Sequence, residues 1–347
     1  MTDASPRVAV IGSGAWGTTL ALLVARAEAV TLLCHSPETA ARLRSERRNE
    51  RRLPGIDLPP RIRPTGEPGD LEGAELVIVA VPSQHLRETV AGLRGALPPA
   101  ADVLSVVKGL EGGTLLRMSE VIADAAELDP ARVAALSGPN LATEIARGLP
   151  ASAVVAAADP DLADRVVARL SRREFRLYTN TDILGVELCG ALKNVIAIAA
   201  GAADGLGFGD NGKAGLMTRG LAEMMRVGIA AGANPLTFAG LAGIGDVIAT
   251  CGSKLSRNHR LGEELARGRS WREIEGSLSG VAEGAYTVDA AIALAERLDV
   301  EMPIAREVHN ALFEGKSVQR CLIDLLARES KDELADFQSW VERLERN

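Results

Sequence analysis

Residues 8–17 read Val-Ala-Val-Ile-Gly-Ser-Gly-Ala-Trp-Gly, an apolar run that leads directly into the pattern Gly12-x-Gly14-x-x-Gly17. In this pattern the first glycine permits a tight turn after a strand, the second lets backbone N–H groups approach a diphosphate, and the third lets the next helix pack closely. A helical run over residues 18–27 follows, so the phosphates would lie at the positive end of that helix. The stretch predicts a dinucleotide-binding strand, turn and helix rather than a purely structural turn.

Further apolar runs alternate with helical stretches, which is typical of a parallel sheet covered on both faces. The candidate strands are residues 8–11, 30–34, 76–81, 103–107, 133–136, 153–156 and 175–178. After about Asp182 the strand pattern stops and helical spacing takes over. We therefore predict an α/β fold: a Rossmann-like, doubly wound, mostly parallel sheet over residues 1–182, then an all-helical substrate-binding domain over 183–347. The glycine-rich stretch 201–215 predicts a mobile loop.

The composition fits an enzyme of two domains. The 347 residues are 47% hydrophobic and 24% charged, and the net charge of −7 argues against a general nucleic-acid or anionic-membrane binder. The N-terminus has no signal-peptide pattern, and no uninterrupted apolar run is long enough for a membrane span, so we expect a cytoplasmic protein. Its cysteines are too scattered for metal-ligand spacing, and we expect no metal and reduced thiols. They are Cys34, Cys189, Cys251 and Cys321.

The end of the second predicted strand bears on the choice of cofactor. An acidic residue at that point would accept a hydrogen bond from the adenosine ribose, but this chain has His35 and Ser36 there. No carboxylate at these positions repels a 2′-phosphate, so NADP(H) is expected to be tolerated or preferred. Residues 42–63 hold eight arginines against three acidic residues. These arginines either assist that phosphate or form a solvated basic face.

Polar residues follow two later strands of the predicted sheet, at the edge where open α/β sheets bind ligands. Lys108 comes directly after residues 103–107, and Ser137-Gly138-Pro139-Asn140 follows residues 133–136. The lysine is either a donor to a substrate oxygen or a turn residue that faces water. The second stretch either presents backbone N–H groups and an amide to a ligand or is a plain turn.

The helical half begins with an apolar run that is interrupted by Glu187, Lys193 and Asn194. Burial of a lysine disfavours its charged form and suits it to acid–base chemistry, unless the side chain extends to the surface. The buried amide of Asn194 would need polar partners. Asp246 and Thr250 are four residues apart, so they share one face of a helix that begins after the glycines at 243 and 245. Asp246 is otherwise only a favourable first-turn residue.

A guanidinium and an amide stand side by side at Arg257 and Asn258, after the loop-like residues Gly252 and Ser256. This pair suits a phosphate, because arginine offers several donors and a permanent charge. The alternative is an exposed helix start.

The order of these motifs resembles that of the NAD(P)-dependent glycerol-3-phosphate dehydrogenases of the bacterial type, from Val8 to about Asp324. The resemblance rests on Gly12-Ser-Gly-Ala-Trp-Gly17, Val81-Pro-Ser83, Lys108-Gly109, Ser137-Gly-Pro139, Leu192-Lys-Asn194, Ala242-Gly-Ile-Gly-Asp246-Val-Ile-Ala-Thr-Cys251, Ser256-Arg-Asn258 and Val281-Ala-Glu-Gly284. It implies reversible hydride transfer between glycerol 3-phosphate and dihydroxyacetone phosphate with NAD or NADP, for glycerophospholipid synthesis. A homodimer is also implied.

The same resemblance assigns roles to individual residues. Lys193 becomes the general acid/base at the carbinol oxygen. The implied substrate-binding residues are Lys108, Gly138, Asn140, Lys193, Asn194, Asp246 and Thr250, with Ser256, Arg257 and Asn258 on the phosphate. The implied cofactor-binding residues are Gly12, Ser13, Gly14, Trp16, Gly17, His35, Lys108, Ala142, Arg257, Val281 and Glu283. The chain departs from the family at Asn140, where Ser or Thr is frequent, and at His35, near which a basic residue is frequent.

Two other functions are compatible with parts of this pattern. A β-hydroxy acid dehydrogenase of similar architecture also has a lysine–asparagine pair after its nucleotide domain, and it would prefer a carboxylate substrate to a phosphate. A non-catalytic NAD(P)-binding sensor would bind the cofactor without turnover. The complete set of Lys193, Asn194 and Asp246 argues against the sensor.

Overall fold

The structure, a computed structural model, describes residues 7–277 and 280–329. The strands of these ranges are β1 (Val8–Ile11), β2 (Val30–Leu33), β3 (Arg48–Asn49), β4 (Leu53–Asp57), β5 (Ile62–Thr65), β6 (Leu76–Val79), β7 (Asp102–Ser105), β8 (Val133–Ser137), β9 (Ala151–Ala156) and β10 (Phe175–Asn180). Eight of them form one sheet in the order β10-β9-β8-β7-β6-β1-β2-β5, and β3 pairs with β4 in a separate antiparallel hairpin.

The strand β1 lies where the strand order reverses. It pairs in parallel with β2 on one side and with β6 on the other. The sheet therefore grows from β1 through β2 to β5 in one direction, and from β1 through β6 to β10 in the other. All four residues of β1 are buried, as expected for a central strand covered on both faces. In open α/β sheets, ligands bind outside the carboxyl ends of the strands at such a reversal point. The loop that starts at Gly12 follows β1 at this point.

The predicted fold class is confirmed, and each predicted strand is present with its ends shifted by a few residues at most. The sheet is parallel except for one antiparallel pair, β8 with β9. The prediction omitted β5 and the β3–β4 hairpin. In β5 the polar Arg63 and the donor-lacking Pro64 interrupt the apolar pattern, and both are tolerated because β5 is an edge strand.

Helices cover both faces of the large sheet. They are α1 (Ala15–Ala25), α2 (Pro37–Glu46), α3 (Leu86–Leu93), α4 (Met118–Ala126), α5 (Ala142–Ala146) and α6 (Pro160–Leu170), with short 3₁₀ turns at Pro68–Leu71, Ser83–His85 and Pro130–Arg132. Alternate residues of β1 enter two separate apolar cores: Val8 and Val10 pack with α1 and α6, whereas Ala9 and Ile11 pack with α3 and α4. This alternation follows from the two-residue period of a strand.

The second half of the described chain is helical. Its helices are α7 (Ile183–Gly205), α8 (Gly209–Ala231), α9 (Pro235–Phe238), α10 (Asp246–Gly252), α11 (Arg257–Ala266), α12 (Trp271–Glu275), α13 (Glu283–Arg297), α14 (Pro303–Phe313) and α15 (Val318–Leu326), with a π-helical turn at Leu241–Gly245. The described residues form two compact units: 7–111 with 116–187, and 112–115 with 188–277 and 280–329. The division thus falls after Glu187, within α7, whereas the predicted boundary lies after residue 182.

The prediction of a mobile loop over residues 201–215 was wrong. Residues 201–205 complete α7, and α8 begins at Gly209, so only three residues connect the two helices. The glycines serve helix packing instead: a Cβ on Gly201 would collide with the backbone of His259, and one on Gly205 would contact Ala266 too closely. Gly262 faces the backbone of α7 in the same way. Helices α7 and α11 therefore cross at a distance that only glycine permits.

Two helical segments are long and apolar enough to cross a membrane by composition alone, Ile183–Gly205 and Pro235–Gly252. In the apolar window of the first, 83% of the residues are buried within the protein, and 50% are buried in the second. Core helices of soluble proteins meet the same criterion, so this observation is weak evidence for a membrane span.

Candidate active site

Gly12 and Gly17 of the first loop pack as the sequence predicts, with a tight turn at the first and close helix contact at the second. Gly12 adopts φ +108°, a conformation that side-chain-bearing residues rarely adopt, and its missing Cβ would collide with the carbonyl of Ala80. A Cβ on Gly17 would collide with the carbonyl of Gly12, so the loop and α1 are in direct backbone contact. A Cβ on Gly14, by contrast, would meet open space. The loop is thus tightly packed at its ends and accessible in its middle.

The N-terminus of α1 fits a diphosphate group. Gly14 is the N-cap residue, no side chain caps the helix, and its first turn contains no acidic residue. Backbone N–H groups in that turn are consequently available to an anion, and the helix dipole favours negative charge there. Trp16 is half-buried and meets Phe175 edge to face, with ring centroids 6.2 Å apart. A dinucleotide cofactor would therefore be held by Ser13, Gly14 and the first turn of α1.

The end of β2 has a carboxylate nearby that the sequence-based prediction did not consider. His35 is exposed, and the Ser36 hydroxyl is the N-cap of α2, where it accepts from the Thr39 N–H at 3.2 Å. Glu38, in the first turn of α2, lies close enough to His35 for the two to interact electrostatically. The prediction considered only residues 35 and 36, so it overlooked a carboxylate near this position.

Several arginines of the 42–63 stretch hold the local fold together. The Arg47 guanidinium donates to the carbonyls of Leu58 and Ile62, and Arg44 donates to the carbonyl of Pro64 at 2.9 Å. Arg48 forms an ion pair with Asp57 across the β3–β4 hairpin. These three arginines are therefore structural rather than a free basic face.

Beyond β7 and β8, the predicted ligand residues adjoin one another. Lys108 Nζ donates to the carbonyl of Gly138 at 3.0 Å, and Gly138 has φ +139°. Both side-chain atoms of Asn140 are buried and have no hydrogen-bond partner among the described residues. Because buried amides are normally satisfied, Asn140 is available to a ligand. The carbonyl of Ala142 accepts from Thr19 Oγ1 at 3.1 Å, which ties α5 to α1.

In the second unit, Lys193, Thr250 and Asp246 meet in one buried cluster. Lys193 Nζ donates to Thr250 Oγ1 at 2.6 Å and lies 3.1 Å from Asp246 Oδ1. Thr250 Oγ1 in turn donates to the same Asp246 oxygen at 2.9 Å. The three residues are 5%, 6% and 1% exposed, so Lys193 does not extend into solvent. As predicted, Asp246 and Thr250 share one face of a helix, α10, that begins after Gly245.

Asn194 and Asn258 join α7 to α11 beside this cluster. Asn258 Nδ2 donates to Asn194 Oδ1 at 2.8 Å, and Asn258 Oδ1 accepts from the Gly284 N–H at 3.0 Å. Asn194 Nδ2 donates to the Gly190 carbonyl. The side-chain oxygens and one hydrogen of each amide are thus engaged within the protein. Asn258 is 7% exposed and links three helices, a role that the phosphate assignment did not anticipate.

The N-terminus of α11 has the features of an anion site. Ser256 is its N-cap and accepts from the His259 N–H at 3.2 Å, and Arg257 follows as an exposed residue. A Cβ on Gly280 would collide with the Arg257 guanidinium, so that group lies against the segment that leads to Val281 and Glu283. Glu283 is the first residue of α13.

The family comparison agrees with the motifs. Residues 7–163 match the model of the N-terminal domain of NAD-dependent glycerol-3-phosphate dehydrogenase, and residues 182–323 match that of its C-terminal domain. The chain belongs to this dehydrogenase family.

Individual relatives lead to the same assignment. The chain is 48% identical over 325 residues to a glycerol-3-phosphate dehydrogenase [NAD(P)+] of Frankia casuarinae, covering 93% of this chain and 97% of the relative. A relative of the same name in Corynebacterium glutamicum is 46% identical over 94% of this chain and 99% of its own length. The crystal structure of glycerol-3-phosphate dehydrogenase from Coxiella burnetii superposes with a TM-score of 0.88 at 36% identity, covering 92% of this chain and 98% of that chain.

Sequence reasoning missed Asn49 of this family member. Its amide is 3% exposed and donates to the Ser13 carbonyl at 2.9 Å and to Thr18 Oγ1 at 2.8 Å. These bonds tie the β3–β4 hairpin to the glycine loop and to the first turn of α1. Asn49 stands in the arginine-rich stretch, and its only sequence signal is that it is the one uncharged residue in the run 46–52.

Glu187, which interrupts the apolar run before Lys193, is a structural residue of the first unit. It accepts from the Ser119 N–H at 2.8 Å and from Arg117 Nη1 at 2.7 Å, so it caps the first turn of α4. Burial raises the pKa of its carboxyl, whereas the Arg117 charge and the Ser119 bonds oppose that rise.

Other features of the dehydrogenase lie apart from these groups. All four cysteines are free and buried, and burial raises the pKa of the Cys251 thiol to about 12, so it is no nucleophile.

Within residues 7–277 and 280–329, no group of three potential metal ligands is present. An apolar, partly open pocket lies among α7, α8, α14 and α15. It is lined by none of the predicted site residues, and it lacks the convergent polar groups of a substrate site.

Proposed function

We propose that this family member interconverts glycerol 3-phosphate and dihydroxyacetone phosphate, with Lys193 as the general acid/base. The observation that carries the proposal is the buried Lys193–Thr250–Asp246 cluster, with Nζ bonded to Thr250 Oγ1 at 2.6 Å and 3.1 Å from Asp246. The names of the relatives supply the substrate.

The cluster suits proton transfer at the substrate oxygen. Reduction of a ketone builds negative charge on its oxygen, and a nearby ammonium group both stabilises that charge and supplies the proton. Asp246 favours the ammonium form of Lys193 as a buried counter-ion, and Thr250 fixes the direction of Nζ. In the oxidation direction, the neutral amine accepts the proton of the carbinol. When bound, the nicotinamide cofactor supplies or accepts the hydride.

The phosphate of the substrate would bind at the start of α11. Arg257 contributes a permanent positive charge, and Ser256 contributes a hydroxyl at the helix N-terminus. Binding energy from this remote phosphate would then orient the carbon that reacts. Asn194 and Asn258 support the arrangement by joining α7 to α11. In the first unit, Lys108 and Asn140 are proposed to contact the substrate as well.

The test is a direct spectrophotometric assay of the purified protein, without a coupling enzyme. Dihydroxyacetone phosphate is added with NADH or NADPH, and the absorbance of the reduced nicotinamide is followed. We expect rapid loss of absorbance with at least one cofactor, and the two rates rank the cofactors. No loss with either, in folded protein that binds cofactor, would contradict the proposal; turnover of a β-hydroxy acid would then indicate the related dehydrogenase class, and no turnover a sensor.

Three further properties are proposed from the family resemblance. The enzyme would work in the cytoplasm, supply glycerol 3-phosphate for glycerophospholipid synthesis, and form a homodimer. NADPH is expected to be accepted because His35 and Ser36 replace the usual ribose-binding carboxylate, although Glu38 lies near. Light scattering tests the dimer: its mass would be twice the 36.4 kDa of one chain.

A further inference from the structure

His259 forms a second connection between α7 and α11. Its ring is 2% exposed, and its Nε2 lies 2.8 Å from Asp204 Oδ2 near the end of α7. Lys213 of α8 donates to the same oxygen at 3.0 Å. A carboxylate therefore holds together the buried histidine of one helix and the lysine of another.

The partners determine which ring nitrogen carries the hydrogen. Burial opposes ionisation of Asp204, but its hydrogen bonds with His259 and Lys213 outweigh burial, so the pKa of the Asp204 carboxyl lies below its usual value. An ionised carboxylate only accepts hydrogen bonds, so Nε2 of His259 donates. The other ring nitrogen, Nδ1, is buried with no partner among the described residues. All the hydrogen bonding of this ring is thus directed toward Asp204.

The Asp204–His259 bond joins the same two helices, α7 and α11, as the Asn194–Asn258 bond. Asp204 follows Lys193 by eleven residues, which is about three helical turns, so both lie on the same face of α7. Asn258 bonds to Asn194 near the first of these residues, and His259 bonds to Asp204 at the second. Close contact at Gly201 lies between the two bonds in sequence. The start of α11 is thereby fixed on α7 at two points.

We propose that His259 is a positioning residue for phosphate binding. Its ring anchors α11 on Asp204, and its N–H donates to the Ser256 cap, so it sets where Ser256 and Arg257 meet the phosphate. His259 itself does not contact the ligand. This inference rests on the proposed function, because it assumes that the start of α11 binds the substrate phosphate.

The test compares substrates with and without a phosphate in the full-length enzyme. In His259→Leu, we expect the KM for dihydroxyacetone phosphate and the inhibition constant of inorganic phosphate each to rise about tenfold, the loss expected for a hydrogen bond with a charged partner. The kcat/KM for dihydroxyacetone, which has the same ketone and no phosphate, should stay within about twofold. His259→Gln, which retains a donor near the Nε2 position, should restore both phosphate-dependent values.

Two further variants complete the design. Lys213→Met removes the other partner of Asp204 but leaves the histidine bond, and it should leave inhibition by phosphate unchanged. If His259→Leu fails to fold, His259→Asn provides the same test, because its amide is too short to reach Asp204. Equal losses with both substrates, or no change in phosphate inhibition, would overturn the positioning role. A wild type that is not inhibited by phosphate and does not prefer the phosphorylated ketone would overturn the proposed function as well.

Discussion

Lys193 donates a hydrogen bond to Thr250, with 2.6 Å between Nζ and Oγ1. An ammonium group has only donors, so the threonine oxygen must accept, and its own hydrogen is directed to Asp246 at 2.9 Å. Asp246 therefore orients the lysine in two ways: through the Thr250 hydroxyl, which bonds to both groups, and through the direct ion pair.

Replacing Thr250 tests this orienting role. Thr250→Val keeps the shape of the side chain but removes the hydroxyl, and we expect kcat for dihydroxyacetone phosphate to fall about tenfold to a hundredfold, as for loss of a hydrogen bond to a charged group. Thr250→Ser retains the hydroxyl and should keep most of the activity. Initial rates at saturating cofactor measure the effect. Equal kcat values for the valine and serine variants would exclude the role.

Removing the amine of Lys193 should nearly abolish turnover. For Lys193→Ala we expect a decrease in kcat on the order of a thousandfold, within the range for loss of a general acid/base. Cofactor affinity, measured by quenching of tryptophan fluorescence, should not change. Lys193→Arg keeps a positive charge that cannot be given up at neutral pH, so it should remain as inactive as the alanine variant. Wild-type turnover in either variant would rule out the proton-transfer role.

Arg257 should contribute to substrate affinity rather than to proton transfer. In Arg257→Ala, the KM for dihydroxyacetone phosphate is expected to rise about thirtyfold to a hundredfold, since charge-assisted bonds to a phosphate are lost. Steady-state kinetics provides the measurement. Arg260→Ala is the matched control, because Arg260 is an exposed arginine one turn later on α11. An unchanged KM in Arg257→Ala would remove this residue from the phosphate site.

Asn49 should affect cofactor binding without affecting the substrate. Asn49→Ala leaves the Ser13 carbonyl and the Thr18 hydroxyl without their buried partner, and we expect the dissociation constant of the reduced cofactor to rise about tenfold. Isothermal titration calorimetry measures that constant. Glu46→Ala, at an exposed position shortly before, serves as the control. If both variants bind the cofactor as tightly as the wild type, the amide does not shape the loop.

Glu223 of α8 should make stability depend on pH. Burial raises the pKa of its carboxyl to about 7 from an ordinary 4.5, although the N–H groups of Ile304 and Ala305 donate to it. Between these two values the folded protein holds a proton that the unfolded chain has released. The contribution to the free energy of unfolding is thus fully present below pH 4.5 and falls by about 3 kcal/mol as the pH rises through 7.

Glu223→Gln removes this titration. Relative to wild type, the free energy of unfolding of the variant should increase by about 3 kcal/mol between pH 4.5 and pH 8. Urea unfolding at four pH values across that range gives the difference. Glu72→Gln, at an exposed position, should run parallel to the wild type throughout. A difference between Glu223→Gln and wild type that does not vary with pH would show that Glu223 keeps an ordinary pKa.

The parts of the fold that were predicted are those with a local cause. Central strands such as β1 and β6 are continuous apolar runs because helices cover both of their faces. The start of α10 follows from glycine spacing. The edge strand β5 lacks such a pattern, and the helical glycines at 201 and 205 were misread because their cause is a neighbouring helix that begins more than fifty residues later.

The candidate site shows the same division. The four-residue spacing of Asp246 and Thr250 places them on one helical face, and this was predictable. The contacts of both residues with Lys193 span more than fifty residues, and the bonds of Asn49 to the glycine loop span more than thirty. Such pairs depend on how whole elements pack, which no local pattern specifies. Family resemblance supplied the candidate residues of the site, and the structure supplied their partners.

The close contact of α7 and α11 affects the distance between residues on the two helices. At Gly201 and Gly262 the two helices meet backbone to backbone, so a side chain at either position would force them apart. The spacing between Lys193 on α7 and Arg257 on α11 therefore depends on this close contact. Because the proposed substrate would contact both residues, we expect a phosphorylated ketone with one more carbon between its carbonyl and its phosphate to react poorly. Selectivity for chain length would then reside in two residues that have no side chain at all.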